Sequence, residues 1–213
     1  MQCRKQIGSG KKIVSGADGE AQLMDRPLPL TRRERLRRVV LLCCHFTRNL
    51  AFYRVGRPGE PRSPNREFWV TVNGNFLDEC VLEWCKLLGD TRGDHYWKQV
   101  VSDAEKFEME LLQNLGMDAA EFESYRNEMR EYRDKFLAHL DSLREIKFPK
   151  LNIAKASVEF YHAYIADHES EAGDLAAQAG QRALPATTAE LRNYFDQCEA
   201  EAVRVYIQID RPS

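Results

Sequence analysis

Four apolar-periodic stretches of this chain open with a Thr, Ser or Asp three residues ahead of a Glu: "TRRE" at 31–34, "SDAE" at 102–105, "DAAE" at 118–121 and "TTAE" at 187–190. In that spacing the first side chain accepts from the backbone of the fourth residue, and the Glu reaches back to the first residue's N–H. Each is therefore a helix start signal. Behind each one, apolar residues recur three and four apart, which places them on one face of a helix. No strand-period alternation stands out, no Asn-Gly hairpin lies between β-rich runs, and there is no internal repeat. The expectation is an all-α fold, a compact helical bundle of about five to six helices. Residues 30–210 form its single domain, behind a flexible leader over 1–29.

The first helix starts at Thr31 and carries Leu36, Val40, Cys43, Thr47 and Leu50 on one stripe; "GRPGEPRSPN" at 56–65 breaks it. A second helix runs from about Glu67 to Leu88 with Phe68, Val72, Phe76, Cys80, Trp84 and Leu87, and Gly89 as its C′ residue. Asn73, Gly74 and Asn75 sit in its middle, all poor helix formers. Either tertiary packing compensates for them or the helix bends there, and Asn73 and Asn75 are candidates to line a polar substrate-binding pocket. "HYWKQVV" at 95–101 reads as a short helical turn or an ordered aromatic loop packing on the bundle, with base stacking by His95, Tyr96 and Trp97 as the alternative. Further helices carry Phe107, Leu111 and Leu115 up to Gly116, then the span 118–144, then about 152–166 with Val158, Tyr161 and Ile165. After a small, polar stretch over 167–186 comes a last helix with Leu191, Phe195, Cys198, Ala202 and Val205.

Bulk properties narrow the function classes. The 213 residues are 43% hydrophobic and 30% charged, with net charge −2 and a pI near 6.2. That balance argues against a protein that coats nucleic acid by charge alone, but leaves room for one that grips a few phosphates locally. The longest apolar run, "VVLLCC" at 39–44, suits a buried helix and falls far short of the ~18 residues of a membrane span. The leader has no apolar core like that of a signal peptide, and Met24 is a candidate start within it. Cys43, Cys44, Cys80 and Cys85 sit in apolar helical patterns with no zinc-type spacing, which points to buried thiols in a reducing cytoplasm. "RRERLRR" at 32–38 reads as the solvated face of a helix start, with a phosphate-contact patch as the alternative. His162 and His168 are six apart, a spacing that does not form a metal pair. No metal site or cofactor motif is expected.

"EYRDKFLAHLDSL" at 131–143 carries the chemistry worth weighing. At about 100° per residue, Phe122, Tyr125, Met129, Tyr132, Phe136, Leu140 and Leu143 share one face. Arg133 lies about 60° to one side of that stripe and His139 about 60° to the other, while Asp134 points away. The structural alternative has Arg133 snorkelling beside the core and His139 as a satisfied interfacial histidine. The functional one uses a base that titrates near neutrality and a cation that never deprotonates. Such a pair supports metal-free RNA cleavage: a base removes the 2′-OH proton, the oxygen attacks the adjacent phosphorus, and the cation stabilises the phosphorane. The Arg and His of one helix do not obviously meet over one phosphate. Two copies related by a twofold axis bring them together.

At these residues the chain resembles the HEPN superfamily, whose ribonuclease members carry Arg, a polar residue, a short spacer and His; Arg133, Asp134 and His139 fit that pattern. A longer resemblance, to HEPN proteins of the abortive-infection AbiU type, rests on "REFWVTVNGNFLDECVLEWCKLLGD" (66–90), "HYWKQVV" (95–101), "YRDKFLAHLD" (132–141) and "FPKLNIAKASVEFYHAYI" (148–165). It covers roughly residues 30–170. It implies a HEPN-like bundle that dimerises through the helix over 118–144. It also implies a metal-independent endoribonuclease of phage defence or toxin type, leaving 2′,3′-cyclic phosphate and 5′-OH ends. By this resemblance Arg133 grips the phosphate, His139 is the acid–base and Asp134 orients one of them. Lys135, with Asn73 and Asn75, is a candidate substrate contact. RNA would be the substrate, an antitoxin or defence protein a partner, and the cytoplasm the location. One subgroup has a Tyr two residues after the His that a partner enzyme modifies; Asp141 stands there, which argues against regulation of that kind. The alternative is a non-catalytic HEPN module that binds RNA, a nucleotide or a protein partner.

Overall fold

Thr31 opens the first helix with both halves of its capping box in place. Its hydroxyl accepts from Glu34 N–H, and the Glu34 carboxylate accepts from Thr31 N–H at 2.8 Å. In this computed structural model the described residues are 30–56, 66–138, 148–171, 173–177 and 183–209, with the side chains of Arg66, of 136–138 and of Ile209 excepted. They form α1 (Arg32–Val55), α2 (Arg66–Trp84), α3 (Trp97–Val100), α4 (Ala104–Leu115), α5 (Ala119–Tyr132), α6 (Leu151–Tyr164) and α7 (Thr188–Ile209). There is no strand among them, so the fold is all-α. Six long helices and one short turn match the expected count. The leader 1–29, the break over 57–65, and residues 172 and 178–182 of the stretch over 167–186 lie outside the described residues.

α1 is the central element: it packs along α2 and α7 and touches α6. It therefore buries more than one stripe. Leu36, Val40, Cys43, Thr47 and Leu50 are all buried, and so are Val39, Phe46 and Ala51 on the adjoining face. α2 runs without interruption through Asn73, Gly74 and Asn75. Its inward face differs from the expected one at the start: Phe68 is 53% exposed, whereas Trp69 and Leu77 are buried. The reason is a partner on another helix. Tyr206 of α7 stacks on Trp69 with ring centroids 3.7 Å apart. The same contact leaves Val205, expected inside, 42% exposed.

Three helices end by widening into a π turn: α2 into Cys85–Gly89, α5 into Arg133–Ala138 and α6 into Ile165–Glu169. Gly89 is thus no left-handed C′ cap. Asp90 N–H bonds Cys85 O at 2.7 Å across the wide turn. Gly116, by contrast, does end α4 at φ 62°, a conformation that favours glycine. The "SDAE" signal at 102–105 is used differently from expectation. Asp103 is the N-cap, accepting from Lys106 N–H at 2.9 Å. Ser102 instead donates through N–H (2.6 Å) and Oγ (2.8 Å) to the buried carboxylate of Glu169.

Aromatic rings build the centre. Trp84 and Trp97 are wholly buried, Trp97 stacks on Phe107 at 4.9 Å, and Tyr161 and Tyr164 meet Phe107 edge-on. The aromatic loop therefore packs on the bundle, and Tyr96 and Trp97 have no face left for a base. Trp84 Nε1 donates to Ser157 Oγ at 2.9 Å, which satisfies the one polar atom of its ring. Cys43, Cys44, Cys80, Cys85 and Cys198 are free and buried, and burial pushes the Cys44 and Cys85 thiols up to about 12. "RRERLRR" is in part the solvated face expected, with Arg32, Arg33 and Arg38 exposed, but four of its arginines also bind the loops around it. Arg32 binds Glu169, Arg33 binds Gly173 O, Arg35 binds Gln99 O, and Arg37 binds Asp174 O and Ala176 O. These arginines staple loops to α1.

His162 is fully buried, with Nε2 3.0 Å from Pro185 O, so the proton sits on Nε2. Burial holds its pKa below the ordinary histidine value, more than the neighbouring carboxylates and the Pro185 bond raise it. The unfolded chain then binds a proton that the folded chain refuses. Stability is full above about pH 6.5 and falls as the pH drops below it. In urea unfolding across that range, His162→Gln is expected to flatten the acid-side slope by at most about 1.4 kcal/mol per pH unit. An unchanged slope would remove His162 as its source.

Candidate functional site

α5 starts from Asp118 in a complete capping box with Glu121 and buries Phe122, Tyr125, Met129 and Tyr132, the stripe that its spacing predicts. Arg133 follows where the helix widens. The wide turn advances by a smaller angle per residue, so a projection at 100° per residue stops holding at the motif itself. Arg133 still lies beside the core, with its side chain 22% exposed, and Asp134 is 59% exposed. Asp134 Oδ1 accepts from Arg133 Nε at 2.7 Å, and Asp90 Oδ1 accepts from Arg133 Nη1. Nη2 has no hydrogen bond among the described residues. The Asp134 contact, then that of Asp90, holds the guanidinium further above its ordinary pKa than its partial burial lowers it. His139, with the rest of the expected helix to 144, lies outside the described residues.

Of the expected substrate contacts, Lys135 is exposed and pairs with Glu131 at 2.6 Å, one turn earlier on the same helix. Asn73 is buried and Asn75 exposed, two residues apart on α2, so the two do not line one pocket together. Asn73 lies close to Gly56, where a Cβ would come within 2.5 Å of its Oδ1.

Asp90 was not foreseen from the sequence. It follows the π turn that ends α2, and nothing in a lone Asp after Gly signals that it will meet an Arg forty-three residues on. Two more arginines of α5 were missed with it. Arg130 Nε donates to Gly89 O at 2.9 Å, and Arg126 Nη2 donates to Tyr96 Oη at 3.1 Å with its guanidinium over the Tyr96 ring. The spacing 126, 130, 133 would have put them on one face, but basic residues at that spacing usually mark a solvated stripe. Arg126 is instead only 8% exposed. With Arg92 and Lys98 these residues border a polar cleft of about 710 Å³ that also takes in Asp90 and Glu123. On the other side of Arg133, Tyr132 Oη donates to Asp78 at 2.8 Å.

Among the described residues no three His, Cys, Asp or Glu side chains converge as metal ligands, and no helix is long and apolar enough to cross a membrane. No family model matches the chain, and no curated protein or solved structure does.

Burial raises the Asp78 pKa, and the Tyr132 hydrogen bond partly offsets that rise. Tyr132→Phe is therefore expected to raise the Asp78 pKa further, as read by NMR titration. It should also cost about 1 kcal/mol in urea unfolding. An Asp78 titration unmoved by the substitution would show that the bond does not form in solution.

Proposed function

We propose that the protein is a metal-independent endoribonuclease of the HEPN type, acting in phage defence or as a toxin in the cytoplasm. The observation that carries this reading is the Arg133–Asp134 pair. Its Nε–carboxylate bond fixes a guanidinium beside the core, with Nη2 uncommitted among the described residues, at a residue that matches the motif arginine. In this mechanism Arg133 binds the scissile phosphate and Asp134 orients Arg133. His139 takes the 2′-OH proton as O2′ attacks the adjacent phosphorus. The bond to the 5′-oxygen breaks, and that oxygen takes up a proton, from the second His139 of a dimer formed through the helix over 118–144. The products are a 2′,3′-cyclic phosphate and a 5′-OH. An antitoxin or defence protein would be the natural partner to hold such an activity in check.

A second reading is favoured by the clasp around Arg133. Asp90 and Asp134 together neutralise the cation, and Asp90 has to yield before a phosphate can take Nη1. A non-catalytic HEPN module that binds RNA, a nucleotide or a protein partner needs no such release.

Incubating total RNA with the protein in EDTA separates the two. Cleavage leaving cyclic phosphate ends is expected, falling roughly 10²- to 10⁴-fold in His139→Ala and roughly 10²- to 10³-fold in Arg133→Ala. Cleavage that survives both substitutions would remove this site as its source. Scattering at micromolar concentration should give the mass of a dimer, and a stable monomer would break the shared-site mechanism.

A further inference from the structure

We propose that the cleft beside Arg133 is a backbone subsite. It holds the phosphate neighbouring the scissile one in a single RNA strand, and it does not read the base. The proposal rests on the reading of Arg133 as the group that binds the scissile phosphate.

Four cations border the cleft, Arg92, Lys98, Arg126 and Arg130, against two carboxylates, Asp90 and Glu123. Arg126, Arg130 and Arg133 follow one another along one helix face. Arg130 stands about 4.5 Å and Arg126 about 10 Å from Arg133 along the axis. A strand that reaches Arg133 therefore finds a row of guanidinium groups leading away from it. Those groups are placed by protein contacts but not used up by them. Arg126 is nearly buried, with Nη2 on Tyr96 Oη and Nη1 on the Glu123 carboxylate that a phosphate would replace. Arg130 spends Nε on Gly89 O and Nη1 on Asn127 Oδ1 and Glu123, which leaves Nη2 without a partner among the described residues, and Arg92 makes no ion pair among them. Planar donors held this way suit phosphate oxygens.

Base readout has no platform here. Tyr96 is 3% exposed and Trp97 1% exposed, and the Arg126 guanidinium lies over the Tyr96 ring. Glu123 is the occupant a phosphate would displace. Its carboxylate bonds Arg126 Nη1 at 2.7 Å and reaches Arg130 Nη1 at 3.4 Å, while its side chain is 47% exposed and so able to swing out.

The test measures binding of short, labelled 2′-O-methyl RNA to the full-length protein across a salt series. That probe keeps every phosphate but has no 2′-hydroxyl to attack, so binding is read without cleavage. Oligo-uridine and oligo-adenosine serve as two sequences. Arg130→Gln and Lys98→Gln are each expected to weaken binding of both alike and to reduce the slope of log K against log salt by about 0.7. Glu123→Gln should tighten binding roughly two- to fivefold, an effect that loss of a purely structural contact would not produce. Lys106→Gln, on α4 away from the cleft, should change neither.

Cleft variants that bind as the parent does would overturn the proposal, as would a protein that binds neither oligonucleotide. A loss confined to one of the two sequences would also overturn it, because it would mean base readout. Cleavage of unmodified RNA is scored apart. Salt-dependent binding through the cleft without any cleavage would leave the subsite standing and end the nuclease reading. Cleavage whose KM ignores Arg130→Gln would do the reverse.

Discussion

The placement of the candidate site depends on how α5 is tied to the end of α2. Arg130 reaches the Gly89 carbonyl, Arg126 reaches Tyr96, and Arg133 reaches Asp90. All three contacts land on the π turn that closes α2 or on the loop after it. A regular α-helical end at this point would carry the chain off at a different angle, because the wide turn accommodates residues that a 3.6-residue turn does not. The three arginines therefore read one local departure from α geometry. The cleft, the clasp around Arg133 and the packing of Tyr96 follow from it. The Tyr132–Asp78 bond secures the same helix to α2 from its other side.

Several charged groups of this molecule are turned toward its own backbone and buried carboxylates. The basic run at the start of α1 binds carbonyls and carboxylates of the loops around it. Glu169 sits buried where Ser102 and Arg32 satisfy it. A buried carboxylate is tolerated only when its oxygens are hydrogen-bonded or paired, and here the partners come from a helix start and a loop far apart in sequence. Arg32, Arg33, Arg35 and Arg37 are structural fasteners. The groups around the polar cleft differ in that their neutralising carboxylates are partly exposed and can move.

The thiols and the buried histidine show the same economy of burial. Five cysteines fill core space as small apolar groups, and burial keeps them protonated. His162 is held neutral by its surroundings, with one ring nitrogen committed to Pro185 O. None of these groups lines the polar cleft, so the chemistry proposed for the motif helix does not draw on them.

Much of the architecture was legible in local spacing. Capping boxes at Thr31 and Asp118, the stop at Gly116, and the buried stripes of α1, α5 and α6 depend on residues three or four positions apart, whose interactions a linear sequence displays directly. The flanking position of Arg133 and the exposure of Asp134 were legible for the same reason. What tertiary structure alone decided depends on partners far along the chain. Ser102 leaves its cap for Glu169, Tyr206 turns α2 so that Trp69 goes inside in place of Phe68, and Asp90 meets Arg133. Asn73 and Asn75 end on opposite sides of burial because one helix face is covered and the other is not. The π turns were invisible for a further reason. A widened turn is selected by the packing it permits, and no residue type marks it in advance. Sequence by itself determined an all-α chain and the helix that carries the motif; long-range contacts decided which of its cations are clasped and which face an open cleft.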